Sequence, residues 1–165
     1  MKSDRQMFEE LLRVLDRVVG RLSAMYQAPR EYGTGGPLYS SEIHTIQAIG
    51  KSIGINVTQL AEKMGVTKGA VSQMVSKLVE KGMVRKTRAQ DNAKEVVLEL
   101  TELGRIGFRT HERFDMKVLD SVREYCGSDL GTKLDTFLSV MTDFDAILTL
   151  HEQRHQSAEP TKENG

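Results

Sequence analysis

Residues Thr67 to Lys77 combine small, polar and basic side chains that suit contacts with a polyanion. The set comprises Thr67, Lys68, Gly69, Ala70, Ser72, Gln73, Ser76 and Lys77. Serine and glutamine can hydrogen-bond to base edges, while lysine side chains and helix N-terminal amides suit phosphates. Small side chains also let a helix enter a DNA major groove, which is about 12 Å wide. The pattern predicts a helix face that contacts duplex DNA, with an ordinary solvated helix face as the alternative.

The element that must position these side chains is a helix predicted over 68–81. Apolar residues recur at helical spacing on its opposite face: Val71, Met74, Val75 and Leu78. A shorter helix is predicted upstream, over 58–64, with an inward face of Leu60, Ala61 and Met64. Thr58 and Thr67 are the expected N-caps of the two helices, and Gly65 suits a left-handed turn between them. This order predicts a helix-turn-helix.

A basic β-hairpin is predicted after the second helix, with strands over 83–88 and 95–100. In its second strand Val96, Leu98 and Leu100 alternate with the other residues, which predicts a half-buried strand. The tip is rich in cations, including Lys86, Arg88 and Lys94. A basic loop can follow the DNA backbone or place an arginine in the minor groove. Two helices followed by such a hairpin form a winged helix-turn-helix, unless the hairpin is only a polar turn.

Three long amphipathic helices flank this lobe, over 5–28, 101–124 and 129–152. Their apolar stripes are Met7, Leu11, Val14, Val18, Leu22 and Met25; then Ile106, Thr110, Phe114, Val118 and Val122; then Leu130, Leu134, Phe137, Leu138, Met141 and Leu148. A compact lobe over 40–100 offers too little surface to cover all three stripes. The layout therefore predicts a homodimer, whose two lobes would address DNA half-sites about 34 Å apart.

The remaining elements are short. A helix is expected over 40–50, with Ser40 or Ser41 as its N-cap. The glycine-rich run 33–37 is expected to be a connecting loop. Thr101 is expected to cap the helix that follows the hairpin.

The predicted fold class is mainly α with a small β-hairpin wing. A winged helix-turn-helix lobe over 40–100 is combined with a long-helix dimerisation region formed by 1–39 and 101–154. The polar segment 155–165 is expected to be a disordered tail.

The charges are distributed unevenly, although Lys and Arg balance Asp and Glu over the whole chain. Residues 1–56 carry 7 cationic and 6 anionic side chains, residues 57–94 carry 8 and 3, and residues 95–165 carry 8 and 14. Positive charge is therefore concentrated on the proposed DNA-binding lobe, where it favours a nucleic acid partner.

The chain offers little support for a secreted or membrane protein. A single cysteine, Cys126, excludes an intrachain disulfide, and we expect no redox role for it. The N-terminus lacks the apolar segment of a signal peptide, and no apolar run approaches the roughly 20 residues that span a bilayer. We expect a cytoplasmic protein with no membrane partner.

Two histidine patterns could indicate metal chemistry. Residues 151–155 match H-E-x-x-H, a zinc-protease signature, but a catalytic zinc also needs a third protein ligand and a closed cavity. His111 and Asp115 are four residues apart on one predicted helix, and His44 could approach them through the fold. We expect solvated helix-end residues in the first case and packing in the second, and therefore no metal, no cofactor and no enzyme.

Several segments together resemble the MarR family of transcriptional regulators. They are Ser41-Glu42-Ile43-His44-Thr45-Ile46, Val57-Thr58-Gln59-Leu60-Ala61, Val66-Thr67-Lys68-Gly69-Ala70-Val71-Ser72, Leu78-Val79-Glu80-Lys81-Gly82 and Leu100-Thr101-Glu102-Leu103-Gly104. The resemblance implies a homodimer with interlocked terminal helices and two winged lobes. By the same resemblance, Lys68, Ser72 and Gln73 match recognition-helix positions and Arg88 matches a wing position.

The wing departs from the family pattern at one point. The family usually has an Asp followed two residues later by Arg, whereas here Asp91 is followed at that spacing by Ala93, with Lys94 next. Lysine cannot form the two parallel hydrogen bonds to a carboxylate that arginine forms. The Asp–Arg pair that orders the base of the wing in the family is therefore either absent here or replaced by a pair with Lys94.

The resemblance also implies a small-molecule pocket between the lobe and the dimerisation region. We expect it where the first helix, the second helix and the helix from Thr101 meet, with Tyr26, Tyr39 and His44 in its wall. The expected effector is a small aromatic or hydrophobic compound. The resulting hypothesis is a repressor that binds a pseudo-palindromic operator as a homodimer; the alternative is a winged-helix module that binds other proteins.

Overall fold

The computed structural model of the protein describes residues 2–88 and 95–158. The chain divides into two compact units, Met1–Asp115 and Met116–Gly165, and the division falls within one long helix. The elements in chain order are α1 (Asp4–Gln27), β1 (Arg30–Glu31), β2 (Pro37–Leu38), α2 (Ser40–Gly50), α3 (Val57–Met64), α4 (Lys68–Glu80), β3 (Val84–Arg88), β4 (Val96–Leu100), α5 (Glu102–Cys126), a 3₁₀ turn (Gly127–Asp129) and α6 (Leu130–Ala158). The mainly helical fold with a small hairpin wing is thus confirmed.

The core of the first unit lies where α2, α3, α4 and β4 meet. Its largest fully buried side chains are Leu38, Ile43, Ile46, Leu60, Leu78, Leu98, Val71, Val75 and Thr45. Leu38 and Leu98 come from β2 and β4, and the others come from α2, α3 and α4. Apolar residues recur at every third or fourth position of these helices, so that each helix turns one apolar face to the others. The inward face predicted for α4 is confirmed, with Met74 half-buried beside the three buried residues.

The helix-turn-helix is built from α3 and α4. Gly65 ends α3 in the left-handed region at φ 65°, and the Thr67 side chain accepts a hydrogen bond from the Ala70 amide at 3.2 Å. The expectation that Thr58 caps α3 is wrong. Asn56 is the N-cap: its side chain accepts from the Gln59 amide, and the Gln59 side chain accepts from the Asn56 amide. This reciprocal pair satisfies two helix-end donors, which a single threonine hydroxyl cannot do.

The N-cap of α2 also differs from expectation. Neither Ser40 nor Ser41 caps the helix, because it begins at Ser40 and Tyr39 occupies the cap position. The Tyr39 amide donates to Oε2 of Glu42 at 3.0 Å, so that a carboxylate three residues downstream takes the place of a hydroxyl cap.

The wing strands β3 and β4 pair antiparallel, with Arg85 opposite Glu99 and Arg88 opposite Val96. The predicted alternation in β4 holds for Leu98 and Leu100, which are buried, but not at its start, where Val96 is exposed and Val97 is buried. Val97 and Leu98 are thus both buried, although strict alternation would expose one of two neighbouring residues.

The run 33–37 is more than a connecting loop. Residues 32–36 form the turn of a small antiparallel hairpin in which Arg30 pairs with Leu38 and Glu31 pairs with Pro37. Thr34 is buried in this turn and donates to the Gly36 carbonyl oxygen at 3.0 Å. A Cβ on Gly107 of α5 would lie 3.2 Å from the Thr34 methyl group, so that a glycine on α5 gives the hairpin turn room to pack.

The long helix α1 has an exposed apolar face. No residue of α1 is buried, and every residue of its predicted stripe is about two-fifths exposed or more, from Val14 at 39% to Met7 at 51%.

Helix α6 runs to Ala158, beyond the expected end near residue 152, whereas residues 159–165 of the expected tail lie outside the described residues. No helix in the described part of the chain is both long and apolar enough to cross a bilayer.

Candidate nucleic-acid interface

Helix α4 separates an inward apolar face from an outward face of small, polar and basic side chains. All eight residues proposed to contact DNA on this helix and its cap are exposed: Thr67, Lys68, Gly69, Ala70, Ser72, Gln73, Ser76 and Lys77. The hydroxyl of Ser76 donates to the Ser72 carbonyl oxygen at 2.9 Å, and Gln73 is exposed on the same helix. The surface can therefore offer hydroxyl and amide groups to a ligand without unburying any core residue.

The C-terminal end of α4 is tied to α2 by an ion pair. Nζ of Lys81 lies 2.6 Å from Oε1 of Glu42, whose side chain is 6% exposed. The other oxygen of this carboxylate accepts the Tyr39 amide. Glu42 thus joins the start of α2 to the end of α4, and this limits rotation of the polar face of α4. Sequence reasoning did not assign this role, because the two residues are 39 positions apart.

The turn between α4 and β3 is held by the start of α5. The Thr101 hydroxyl donates to the Gly82 carbonyl oxygen at 2.7 Å, and the Gly104 amide donates to the same hydroxyl at 3.1 Å. Thr101 therefore caps α5, as expected, and also anchors the turn. Gly104 makes this approach possible, because a Cβ there would lie 2.1 Å from the Met83 carbonyl oxygen.

The described part of the wing presents its cations to solvent. Lys86 and Arg88 are exposed on β3, whereas Arg85 is held by Glu99 across the strands, with Nη2 and Nε at 2.7 and 2.9 Å from one carboxylate oxygen. This arginine holds the pKa of the Glu99 carboxyl below its ordinary value. Lys94 and the Asp91–Ala93 departure lie outside the described residues.

The wing is also joined to the start of α3. The Leu98 amide donates to the Ile55 carbonyl oxygen at 2.9 Å, and the Asn56 side-chain amide donates to Glu95 at 2.7 Å. Asn56 therefore caps α3 and links it to the base of the wing. The helix-turn-helix and the wing are thus held as one surface, a link that the sequence alone did not reveal.

The three residues expected in an effector pocket line one open cavity of about 700 Å³, here called the α1–α2 cavity. Its lining residues are Ser23, Tyr26, Gln27, Tyr39, Ser40, Ser41 and His44. The rings of Tyr26 and His44 meet edge to face with centroids 5.8 Å apart. Tertiary structure brings these residues together from α1, α2 and the residue that precedes α2.

Next to this cavity, His44, His111 and Asp115 approach one another as expected. The two imidazole rings lie edge to face at 5.4 Å, and Nδ1 of His111 lies 3.3 Å from Oδ2 of Asp115, in an orientation that gives no good hydrogen bond. The Gln47 amide donates to the same carboxylate oxygen at 2.9 Å. Burial lowers the pKa of His111, and the Asp115 carboxylate acts in the opposite direction.

In the part of the chain that the structure describes, no group of three His, Cys, Asp or Glu side chains is arranged to hold a metal ion. The side chains of Glu152 and His155 in the H-E-x-x-H segment are outside that part.

Comparisons with known proteins agree with this architecture. Residues 38–96 match the family model for the MarR family. The chain is 38% identical over 87 residues to the uncharacterised HTH-type transcriptional regulator YhjH of Bacillus subtilis, over 53% of this chain and 50% of that protein. It is 35% identical over 81 residues to the HTH-type transcriptional regulator PchR of the same organism, over 49% of this chain and 48% of that protein. The chain thus spans about half the length of the curated relatives it matches.

Solved structures share the fold over most of the chain. Streptococcus pneumoniae FabT, crystallised in complex with DNA, superposes with a TM-score of 0.67 at 23% identity, over 88% of this chain and 99% of that one. The MarR family transcription regulator SP03579 superposes with a TM-score of 0.71 at 15% identity, over 88% and 96%. At such identities these likenesses show the fold.

Proposed function

We propose that this chain is a member of the MarR family, whose family model matches residues 38–96, and that it is a sequence-specific, DNA-binding transcriptional regulator. The observation that carries the proposal is the exposed face of α4, where hydroxyl, amide and ammonium groups lie on a helix held at both ends. The DNA complex of FabT, a protein of the same fold, supports a DNA partner. In this proposal Ser72, Gln73 and Ser76 contact base edges, while Lys68, Lys77, Lys86, Arg88 and Lys94 contact phosphates.

We further propose that the regulator acts as a homodimer on a pseudo-palindromic operator and represses transcription. The exposed apolar stripe of α1 supports a second copy as its cover, because a monomer rarely leaves so long an apolar face in water. Two copies related by a two-fold axis would present two α4 helices to half-sites about one DNA turn apart.

We propose in addition that a small aromatic or hydrophobic effector binds the α1–α2 cavity. Tyr26, Tyr39 and His44 support this because they offer aromatic surfaces with hydrogen-bonding groups in one cavity. An effector would release the operator only to the extent that it binds the DNA-free arrangement of the dimer more tightly.

The test is fluorescence anisotropy on the duplex upstream of the protein's own gene and on a scrambled duplex, at two salt concentrations. A random-sequence selection supplies an operator if the upstream duplex holds none. The double substitution Ser72→Ala with Gln73→Ala should remove the preference for the operator and leave nonspecific binding nearly intact. Arg88→Ala should weaken binding to both duplexes and reduce the salt slope by about one.

Two outcomes would contradict the assignment. Equal losses on both duplexes from the α4 double substitution would mean that this face does not contact base edges. Failure to bind any duplex, including selected ones, would replace the proposal by a winged-helix module that binds other proteins.

A further inference from the structure

A different cavity, of about 460 Å³, lies between the C-terminal end of α2, strand β4 and the N-terminal part of α5. We call it the β4–α5 cavity; it shares no lining residue with the α1–α2 cavity. Its volume falls within the range of about 300–1,000 Å³ that is typical of small-molecule sites. Its floor is apolar, because Ile49, Leu98 and Leu100 line it and are 3%, 1% and 7% exposed.

One wall of this cavity is the Phe108 ring, which can take its position because residue 50 is a glycine. The Phe108 ring packs so closely against Gly50 that a Cβ there would lie 2.6 Å from the ring. The ring is half-buried and lines the cavity together with the floor residues. An aromatic wall over an aliphatic floor suits a compact apolar ligand.

The rim is formed on one side by the segment that joins α2 to α3. Ile53 lines the rim, and its apolar side chain is fully exposed among the described residues. Ser52 beside it accepts a hydrogen bond from Nζ of Lys63 at 2.7 Å, which ties this segment to α3. An apolar ligand in the cavity would cover part of the exposed Ile53 side chain.

The opposite side of the rim is cationic. Arg105 and Arg109 lie four residues apart on α5 and therefore share a helix face. Both contact Glu102, at 3.0 and 3.2 Å, and Arg105 also donates to the Leu100 carbonyl oxygen at 2.8 Å. Together with the Arg85–Glu99 pair, three guanidinium groups face two carboxylates here. Hydrogen bonds from Arg105 and Arg109 also hold the pKa of the Glu102 carboxyl below its ordinary value.

We propose that the β4–α5 cavity binds a small amphipathic anion. The ligand places a compact apolar body on the floor of Ile49, Leu98 and Leu100. Its single carboxylate or sulfonate group lies at the rim and accepts hydrogen bonds from Arg109. The Nη1 and Nε groups of Arg105 already donate to the Leu100 carbonyl oxygen and to Glu102. Arg105 therefore contributes positive charge near the anion, and Arg109 supplies the hydrogen bonds.

The position of this site links it to both parts of the proposed DNA surface. Leu98 belongs to the wing strand and donates to Ile55, which immediately precedes the Asn56 cap of α3. A ligand on this floor therefore contacts the wing and the segment that leads into the helix-turn-helix at the same time.

The test uses 8-anilinonaphthalene-1-sulfonate as the probe, with the full chain and no DNA, so that its outcome is independent of operator binding. Fluorescence titration gives the affinity, and methyl NMR of isoleucine and leucine locates the probe. We expect methyl shifts at Ile49, Ile53, Leu98 and Leu100 that saturate together with the fluorescence. Arg109→Gln should weaken this binding by about tenfold, because a charge-assisted hydrogen bond is lost.

Two matched controls separate this site from others. Arg113→Gln removes an arginine on the same helix that does not line the cavity, and Tyr39→Ser alters the α1–α2 cavity. Each should keep the affinity within about twofold of the unsubstituted chain. Methyl shifts confined to Leu11, Leu22 and other residues of the α1 stripe would overturn the proposal. Equal affinities of Arg109→Gln and Arg113→Gln would overturn it as well.

Discussion

Glu42 and Lys81 form an asymmetric ion pair. The carboxylate is almost entirely buried, whereas the Lys81 side chain is 38% exposed and can be solvated when it stands alone. Loss of the lysine would leave a buried carboxylate with the Tyr39 amide as its remaining partner from this set. Loss of the carboxylate charge would leave a lysine that water can reach. An uncompensated buried charge costs more than an unpaired surface charge.

We therefore expect Lys81→Met to destabilise the protein more than Glu42→Gln does. The free energy of unfolding should fall by about 2–3 kcal/mol for the first and about 1 kcal/mol for the second. Arg85→Met is the matched control, since it removes the cation of a more exposed pair and should cost less than about 1 kcal/mol. Urea denaturation measures all three, and equal losses for Lys81→Met and Arg85→Met would contradict the role given to burial.

His111 is a buried imidazole whose environment favours the neutral form. Burial lowers its pKa, Asp115 raises it, and the charges on His44 and Lys51 lower it. The net shift is downward from 6.5, so that the unfolded chain binds a proton at a higher pH than the folded protein does. Stability from this group is therefore fully present above pH 6.5 and is lost as the pH falls below that value towards the folded-state pKa.

We expect the midpoint of thermal unfolding to fall as the pH is lowered from 7 to 5 and His111 to contribute to this slope. His111→Gln keeps a polar side chain of similar reach but cannot take up a proton in this range. The slope should accordingly be shallower in the variant, measured by circular dichroism in buffers of constant ionic strength. An unchanged slope would mean that other groups cause the dependence.

At the scale of elements, the junction of α4, β3 and α5 orients the face proposed to contact DNA. Thr101 caps α5 and binds the Gly82 carbonyl oxygen, while the Thr101 amide donates to the Met83 carbonyl oxygen at 3.0 Å. Gly104 lies against that same carbonyl group. The junction is therefore packed backbone against backbone, where side-chain rearrangement cannot make room for a larger residue.

Gly104→Ala should be strongly destabilising, although alanine is the better helix former. The added Cβ would lie 2.1 Å from the Met83 oxygen, so that a backbone segment must move, at a cost of about 3 kcal/mol or more. Gly131→Ala is the matched control, because nothing lies within 4 Å of a Cβ there. It should raise helix stability by about 0.5–1 kcal/mol. Equal unfolding midpoints for the two variants would refute the close approach.

At the scale of the whole molecule, the long helices of a single chain expose apolar faces to water. Residues of α6 such as Phe137 and Leu138 are 65% and 67% exposed, more than any residue of the α1 stripe. Burying such faces is worth roughly 25 cal/mol for each Å² of apolar surface removed from water. The homodimer that we propose would gain this free energy by covering them.

We expect Val18→Glu to disrupt the dimer without harming the chain's own core, because Val18 is 43% exposed in the single chain. Arg13→Gln is the matched control, since it changes the charge by the same amount on the polar side of α1. Sedimentation velocity at micromolar concentration should show a dimer for the unsubstituted chain and for Arg13→Gln, and a monomer for Val18→Glu. A monomer in every case would contradict the proposed assembly.

The sequence by itself determined the features that depend on neighbouring residues. The outward face of α4, its Thr67 cap and the left-handed turn at Gly65 follow from helical periodicity and local hydrogen bonds, and the structure agrees with each. At the start of α3, local reasoning predicted Thr58 as the cap, whereas the structure has Asn56. The reciprocal bond with Gln59 and the link to Glu95 favour Asn56.

Only the tertiary structure decided the features that join distant segments. The buried pair of Glu42 and Lys81, the contact of Gly104 with Met83, and the cavity between β4 and α5 each bring together residues that no sequence period relates. Such contacts depend on the path of the whole backbone, because a distance of a few ångströms between two helices is set by every residue that packs between them. Local propensity therefore placed the polar face of α4, whereas long-range packing determined how firmly that face is held.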